Sequence, residues 1–234
     1  IVESLAQRGD PAAAPAVAAL VRDTDAGVRL AAIEALGLLG DATVVAPLTS
    51  AAAGGHPEEQ KAARQALCRL RDPEVGPALL AQLGAGSAPV QTEVVKALAG
   101  RGDRGVLPRL LQLAQAGAES TRRACCQGLA LLAGGNEIGP MVRLVAETRD
   151  ATVREDVREA LQQVLHRLQA EGVKTDLAPL VDGLTSKSAE IREALFPVCA
   201  GLADPRIRGA LRSGVADAQP QVRAAAVRAL SETA

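Results

Sequence analysis

Apolar and polar positions recur along this chain with a period of about 31 residues. Asp10, Asp41, Asp72 and Asp103 stand 31 apart, each five residues after an apolar anchor: Leu5, Leu36, Leu67 and Leu98. The anchors continue as Leu129, Leu161, Cys199 and Leu230. A second series lies upstream at Val28, Glu59, Val90, Thr121, Val153, Ile191 and Val222, and a third is proline: Pro15, Pro47, Pro77, Pro108, Pro140 and Pro179. Three series keeping step define an internal repeat.

One period reads as helix, turn, helix, turn. Val28, Ala31, Ala32, Ala35, Leu36 and Leu39 fall at three- and four-residue spacing, the stripe of an amphipathic helix. Asp25 stands where an N-cap belongs, and the matching positions hold His56, Ser87, Ala118, Asp150, Ser188 and Gln219. Gly40 is expected to end the helix as a C′ glycine, with Asp41 capping the next. The second helix carries Val44, Val45 and Leu48, with Pro47 in its first turn, where a missing N–H costs little.

The segments DAGVRLAAIEALGLLGDATVVAPL (25–48) and AQPQVRAAAVRAL (218–230) resemble HEAT repeats, in particular the short bacterial type related to phycobilisome-lyase repeats. The resemblance implies an all-α fold: a right-handed α-solenoid, or superhelix, of stacked antiparallel helix pairs, about 31 residues per repeat. It spans 1–234 as one array of about seven repeats, the first and last incomplete. TPR units need aromatic positions that this chain lacks, and no ankyrin-like TPLH element is present. Residue 1 aligns with residue 32, so a fragment of a longer protein is expected, with end-to-end self-association through uncapped ends as one consequence.

Two irregularities interrupt the pattern. Seven extra residues fall within 162–176, with the insertion centred near 165–176; the helix before it is expected to run from about Val153 to Ala170 and project past its neighbours. Phe196-Pro197 sits inside a first helix, where proline implies a kink.

Composition narrows the picture. Phe196 is the sole aromatic, and the abundance of Ala, Leu and Val suits helices that approach closely. The net charge of −1 gives no global pull toward nucleic acid or anionic lipid. No apolar run reaches the roughly 20 residues of a membrane span. Cys68, Cys125, Cys126 and Cys199 fit neither a metal spacing nor a disulfide framework, which favours a reducing, cytoplasmic compartment.

Candidate chemistry reduces to structural roles. Stacked helices sit roughly 8–10 Å apart, so successive Asp residues cannot share a calcium ion held at about 2.4 Å, and they read as caps. Arg29, Arg122, Arg154, Arg192 and Arg223 recur at one register; by resemblance to HEAT repeats they pair with acidic neighbours such as Asp25, Asp150, Glu155 and Glu190. His56 and His166 have no companions at catalytic or metal-ligand spacing. No catalytic residue, cofactor or metal is expected.

In HEAT-like units the second helices line the concave surface. Here they offer Arg109 with Gln112, Arg143 with Glu147, then Asp182, then Arg208 and Arg212 as contacts for a partner. The expected function is a non-catalytic scaffold presenting a curved helical groove to a protein or peptide. Two alternatives stay open by analogy with other HEAT-like proteins: nucleic-acid binding through a basic concave face, and a regulatory or chromophore-lyase-like subunit of an enzyme. Alternating signs and missing aromatics weigh against nucleic acid.

Overall fold

The computed structural model describes residues 11–232; Leu5 and Asp10, at the start of the two repeat series, lie outside the described residues. Among the described residues there are fourteen α-helices and no strands: α1 (Ala14–Ala19), α2 (Ala26–Leu39), α3 (Val45–Gly54), α4 (Pro57–Arg69), α5 (Val75–Ala85), α6 (Ala88–Arg101), α7 (Leu107–Ala116), α8 (Glu119–Leu132), α9 (Ile138–Glu147), α10 (Ala151–Ala170), α11 (Ala178–Leu184), α12 (Ala189–Leu195), α13 (Pro205–Gly214) and α14 (Pro220–Ser231). Short 3₁₀ turns at Ala42–Val44, Arg104–Val106 and Gly135–Glu137 lead into α3, α7 and α9. The chain forms two compact units. The first runs up to Val106 and takes Ala118–Ala124; the second takes Leu107–Gly117 and the chain from Cys125 onward.

In the first unit the first helices of successive repeats, α2, α4 and α6, lie side by side, and α3 packs against α4, α5 and α6. Ala32, Ala35, Ala62, Ala63 and Ala66 are buried among them. Backbones approach closely: a Cβ on Gly37 would fall 2.8 Å from Ala66 Cα. In the second unit the second helices α7, α9, α11 and α13 form one row, and α10, α12 and α14 form another. Phe196 is fully buried there.

Caps follow the sequence with instructive exceptions. Asp25 Oδ1 accepts from Val28 N at 3.0 Å, Asp150 Oδ1 from Thr152 N at 2.9 Å, and Ser188 Oγ from Ile191 N at 3.4 Å. His56, Ser87 and Gln219 give no side-chain cap, and each precedes a helix with proline in its first turn, which removes one of the N–H groups a cap would serve. Asp41, Asp72 and Asp103 each accept the backbone N–H two residues on, at 2.8, 2.7 and 3.1 Å. Where the ladder reaches Gly134, Glu137 Oε2 reaches back to its N–H at 2.7 Å instead.

Three expectations are corrected. Gly40 is extended (φ −79°) rather than left-handed. Glycine fits there because a Cβ would lie 2.6 Å from Leu36 O and against Val44. The left-handed C′ role belongs to Gly102 (φ 71°), whose N–H donates to Ala99 O at 3.0 Å. At Phe196-Pro197 the helix does not kink and continue. It ends at Leu195 and restarts as a 3₁₀ turn over Pro197–Cys199, because proline supplies no N–H to the helical ladder. Finally, α10 does reach Ala170, yet its last turns do not stand free: Leu165 and Leu168 are buried, and Arg167 Nη2 donates to Ala133 O at 2.5 Å.

Steric economy at glycine gives a paired prediction. Gly37→Ala is expected to destabilise the fold by about 1–3 kcal/mol through overpacking against Ala66. Gly209→Ala, on an open face of α13 where a new Cβ meets nothing within 4 Å, is expected to stabilise by about 0.5–1 kcal/mol. Thermal melts followed by helical circular dichroism would show opposite shifts in Tm; a rise for Gly37→Ala would contradict the close packing.

Candidate functional site

The arginines recurring on the first helices and those predicted as contacts on the second-helix row hold different partners. On the first helices, the recurrent residue reaches back to the turn that precedes its own helix. Arg29 Nη1 donates to Asp23 O and Thr24 O at 2.9 and 3.1 Å. Arg154 Nη2 donates to Thr148 O at 2.8 Å, Arg192 Nη1 to Ser186 O and Lys187 O at 2.6 and 3.1 Å, and Arg223 Nη1 to Asp217 O and Ala218 O at 2.8 and 3.1 Å. The same guanidinium then turns to an acid further along. Arg29 Nη2 meets Glu59 Oε1 at 2.8 Å, Arg154 lies 3.4 Å from Glu190, and Arg192 grips both oxygens of Asp217 at 2.8 and 2.9 Å. A planar five-donor fork suits this double task in a way an ammonium would not.

The acids chosen differ in part from those expected. Glu190 is as expected, but Asp25 and Asp150 are caps, and Glu155 pairs with Arg158 on its own helix. Glu59, in the apolar series by register, is nearly buried and receives Arg29. Glu93 is likewise buried and takes Arg64 and Lys96. The hydrogen bond from Arg29 holds the Glu59 carboxyl below its ordinary 4.5, and that from Arg192 holds Asp217 below 3.8.

The predicted contacts lie on the second-helix row of the second unit. Arg109 and Gln112 are on α7, Arg143 and Glu147 on α9, Asp182 on α11, and Arg208 and Arg212 on α13. All are exposed except Arg109, which is half-buried. Arg109 Nη1 donates to Gln112 Oε1 at 2.5 Å, and its charge lies near Cys125, whose thiol burial pushes up to about 12. Arg208 reaches Ala203 O at only 3.4 Å. The side chains of Arg143, Glu147, Asp182 and Arg212 make no hydrogen bond or ion pair among the described residues. The fold thus brings the four helices side by side and leaves these polar ends unoccupied.

Cys125, Cys126 and Cys199 are buried, Cys68 is exposed, and none of the four is in a disulfide. His56 and His166 are exposed. Among the described residues no group of three His, Cys, Asp or Glu is placed to hold a metal ion, and no helix is long and apolar enough to cross a membrane. The feature that sequence reading missed is the buried acid on the first helices, signalled only by Glu59 standing in an apolar register.

Acidification should expose that network. The carboxylates of Glu59 and Asp217 are lowered on folding, so their contribution is complete above the ordinary values of 4.5 and 3.8 and is lost as pH falls through the lowered ones. The Tm is expected to hold steady near neutrality and decline below about pH 4.5. Glu59→Gln should lower Tm at pH 7 and flatten that decline; an unchanged acid profile would show that this pair does not govern it.

Comparison with known proteins places the chain. HEAT repeats match residues 1–75 and 76–162. No curated protein matches the sequence. Among solved structures, Kap121p is similar over 95% of this chain and 29% of its own, with 15% identity and a TM-score of 0.57. Kap121p bound to the extreme C-terminus of the protein phosphatase Cdc14p gives 15% identity, the same coverage and a TM-score of 0.56. The complex of CpcE and CpcF of phycocyanin lyase from Nostoc sp. PCC7120 is 21% identical over 80% of this chain and 98% of that chain, with a TM-score of 0.37. The chain therefore spans under a third of the length of Kap121p. With the period, the paired helices and more than half of its residues matched to the repeat, the chain belongs to the HEAT-repeat family.

Proposed function

We propose that the chain is a non-catalytic scaffold that holds a protein or peptide partner along the row α7–α9–α11–α13. The observation that carries this reading is the division of labour among arginines. The recurrent arginines of the first helices, Arg29, Arg154, Arg192 and Arg223, are committed to turn carbonyls, and the first three also to acids, whereas Arg143 and Arg212 extend from the second-helix row and hold nothing among the described residues. Arginine is enriched in the energetic centres of protein interfaces, where a planar fork can meet a carboxylate or a carbonyl pair. Carboxylates at Glu147 and Asp182 interleave with these cations. A surface of alternating sign suits a polypeptide of complementary pattern better than a continuous polyanion, which would need several converging cations. Kap121p, a structural neighbour with a peptide bound, offers a parallel for such use of the fold.

Affinity capture from a lysate of the source organism tests the reading, with the Arg109→Glu/Arg143→Glu double variant in parallel. A protein retained by the native chain should be depleted on the order of tenfold with the variant, corresponding to roughly 1.4 kcal/mol of lost binding. Equal retention by both, or retention of nuclease-sensitive material alone, would sink the proposal. Circular dichroism of the variant guards against a folding artefact.

A further inference from the structure

A separate feature lies on the first-helix row of the second unit. The helix α12 has only seven residues and ends where Pro197 interrupts the ladder, so the middle of the row is shorter than α10 on one side and α14 on the other. The turn Pro197–Cys199 packs against both neighbours. The result is a trough of about 490 Å³ whose apolar lining includes Ala151, Ala194, Pro197, Ala225 and Ala229. A second hollow of about 470 Å³, lined by His166, Gln169, Ala200 and Gly201, shares Glu232 with the first.

The charges on the trough's walls are unequal in availability. Arg154 is bound to Thr148 O and faces Glu190, Arg158 is held by Glu155, and Arg228 Nε donates to Ala224 O at 3.3 Å. Glu193 and Glu232 accept no hydrogen bond on their carboxylates and join no ion pair among the described residues. Arg154 and Arg158 are engaged by carbonyls and carboxylates inside the protein, and Arg228 gives one N–H to its own helix, while the two carboxylates of Glu193 and Glu232 stand open beside an apolar lining.

We propose that this trough docks a basic segment of a partner protein, its lysine or arginine stems lying on Ala194, Pro197 and Ala225 and its charged heads meeting Glu193 and Glu232. A long cationic side chain is the occupant that matches both halves of the site, an apolar stem and a charged tip. The volume accords with the 300–1,000 Å³ typical of pockets that bind small ligands or side chains. The site is independent of the second-helix row, and neither proposal needs the other.

The test uses fluorescence anisotropy of a labelled lysine–alanine repeat peptide, with its glutamate–alanine counterpart as probe control. The native chain should bind the basic peptide in preference to the acidic one, more weakly as salt rises. Glu193→Lys/Glu232→Lys should weaken binding on the order of tenfold, and Ala194→Phe, which fills the apolar lining without altering charge, should weaken it too. The charge-matched variant Glu34→Lys/Glu58→Lys, exposed on the first unit, should leave it unchanged. Equal binding of the two peptides, no binding of the basic one, or equal weakening by the matched control would each overturn the proposal.

Discussion

In a helix pair repeated every 31 residues, the carbonyls of the turn before each first helix lie outside any helical ladder, yet they sit at a partly buried junction. Backbone acceptors in that position need a partner. One guanidinium, always five and six residues further along, supplies it at Arg29, Arg192 and Arg223. Because Arg29 and Arg192 then also meet an acid of a neighbouring element, a single residue type both closes a turn and ties adjacent repeats. The interaction is partly shielded at Arg192 and Asp217, whose side chains are 16% and 12% exposed, so salt screens it less than a surface pair.

Small residues set the second condition. Gly37 against Ala66, and Gly214 against Phe196 and Ala226, are approaches that any added carbon would obstruct. Close approach strengthens dispersion among side chains that are individually modest. It also makes the array sensitive to where bulk appears. Phe196 places the largest buried side chain beside the one proline-broken helix, and the shortened helix leaves the trough on that row.

Much of this was legible in the sequence. The period, the paired helices, the capping by Asp25, Asp150 and Ser188, and the reach of α10 to Ala170 all follow from local pattern, which the backbone obeys without help from distant contacts. What escaped were features decided in three dimensions. Gly40 and Gly102 look alike in sequence, yet Gly40 is extended, with Leu36 O and Val44 occupying the space a Cβ would take, and Gly102 is left-handed. Glu59 reads as a flaw in an apolar register until Arg29 lies beside it. The residues on the second-helix row were identifiable as exposed and charged, but their lack of internal partners depends on side-chain geometry that no spacing rule supplies.

The single buried Phe196 has an optical consequence. A chain with no tryptophan and no tyrosine is nearly silent in the near ultraviolet, where most proteins absorb and emit. Any tryptophan emission from a complex would therefore originate wholly in the partner. Its spectral shift on binding would report the partner's own desolvation, without labels and without a background to subtract.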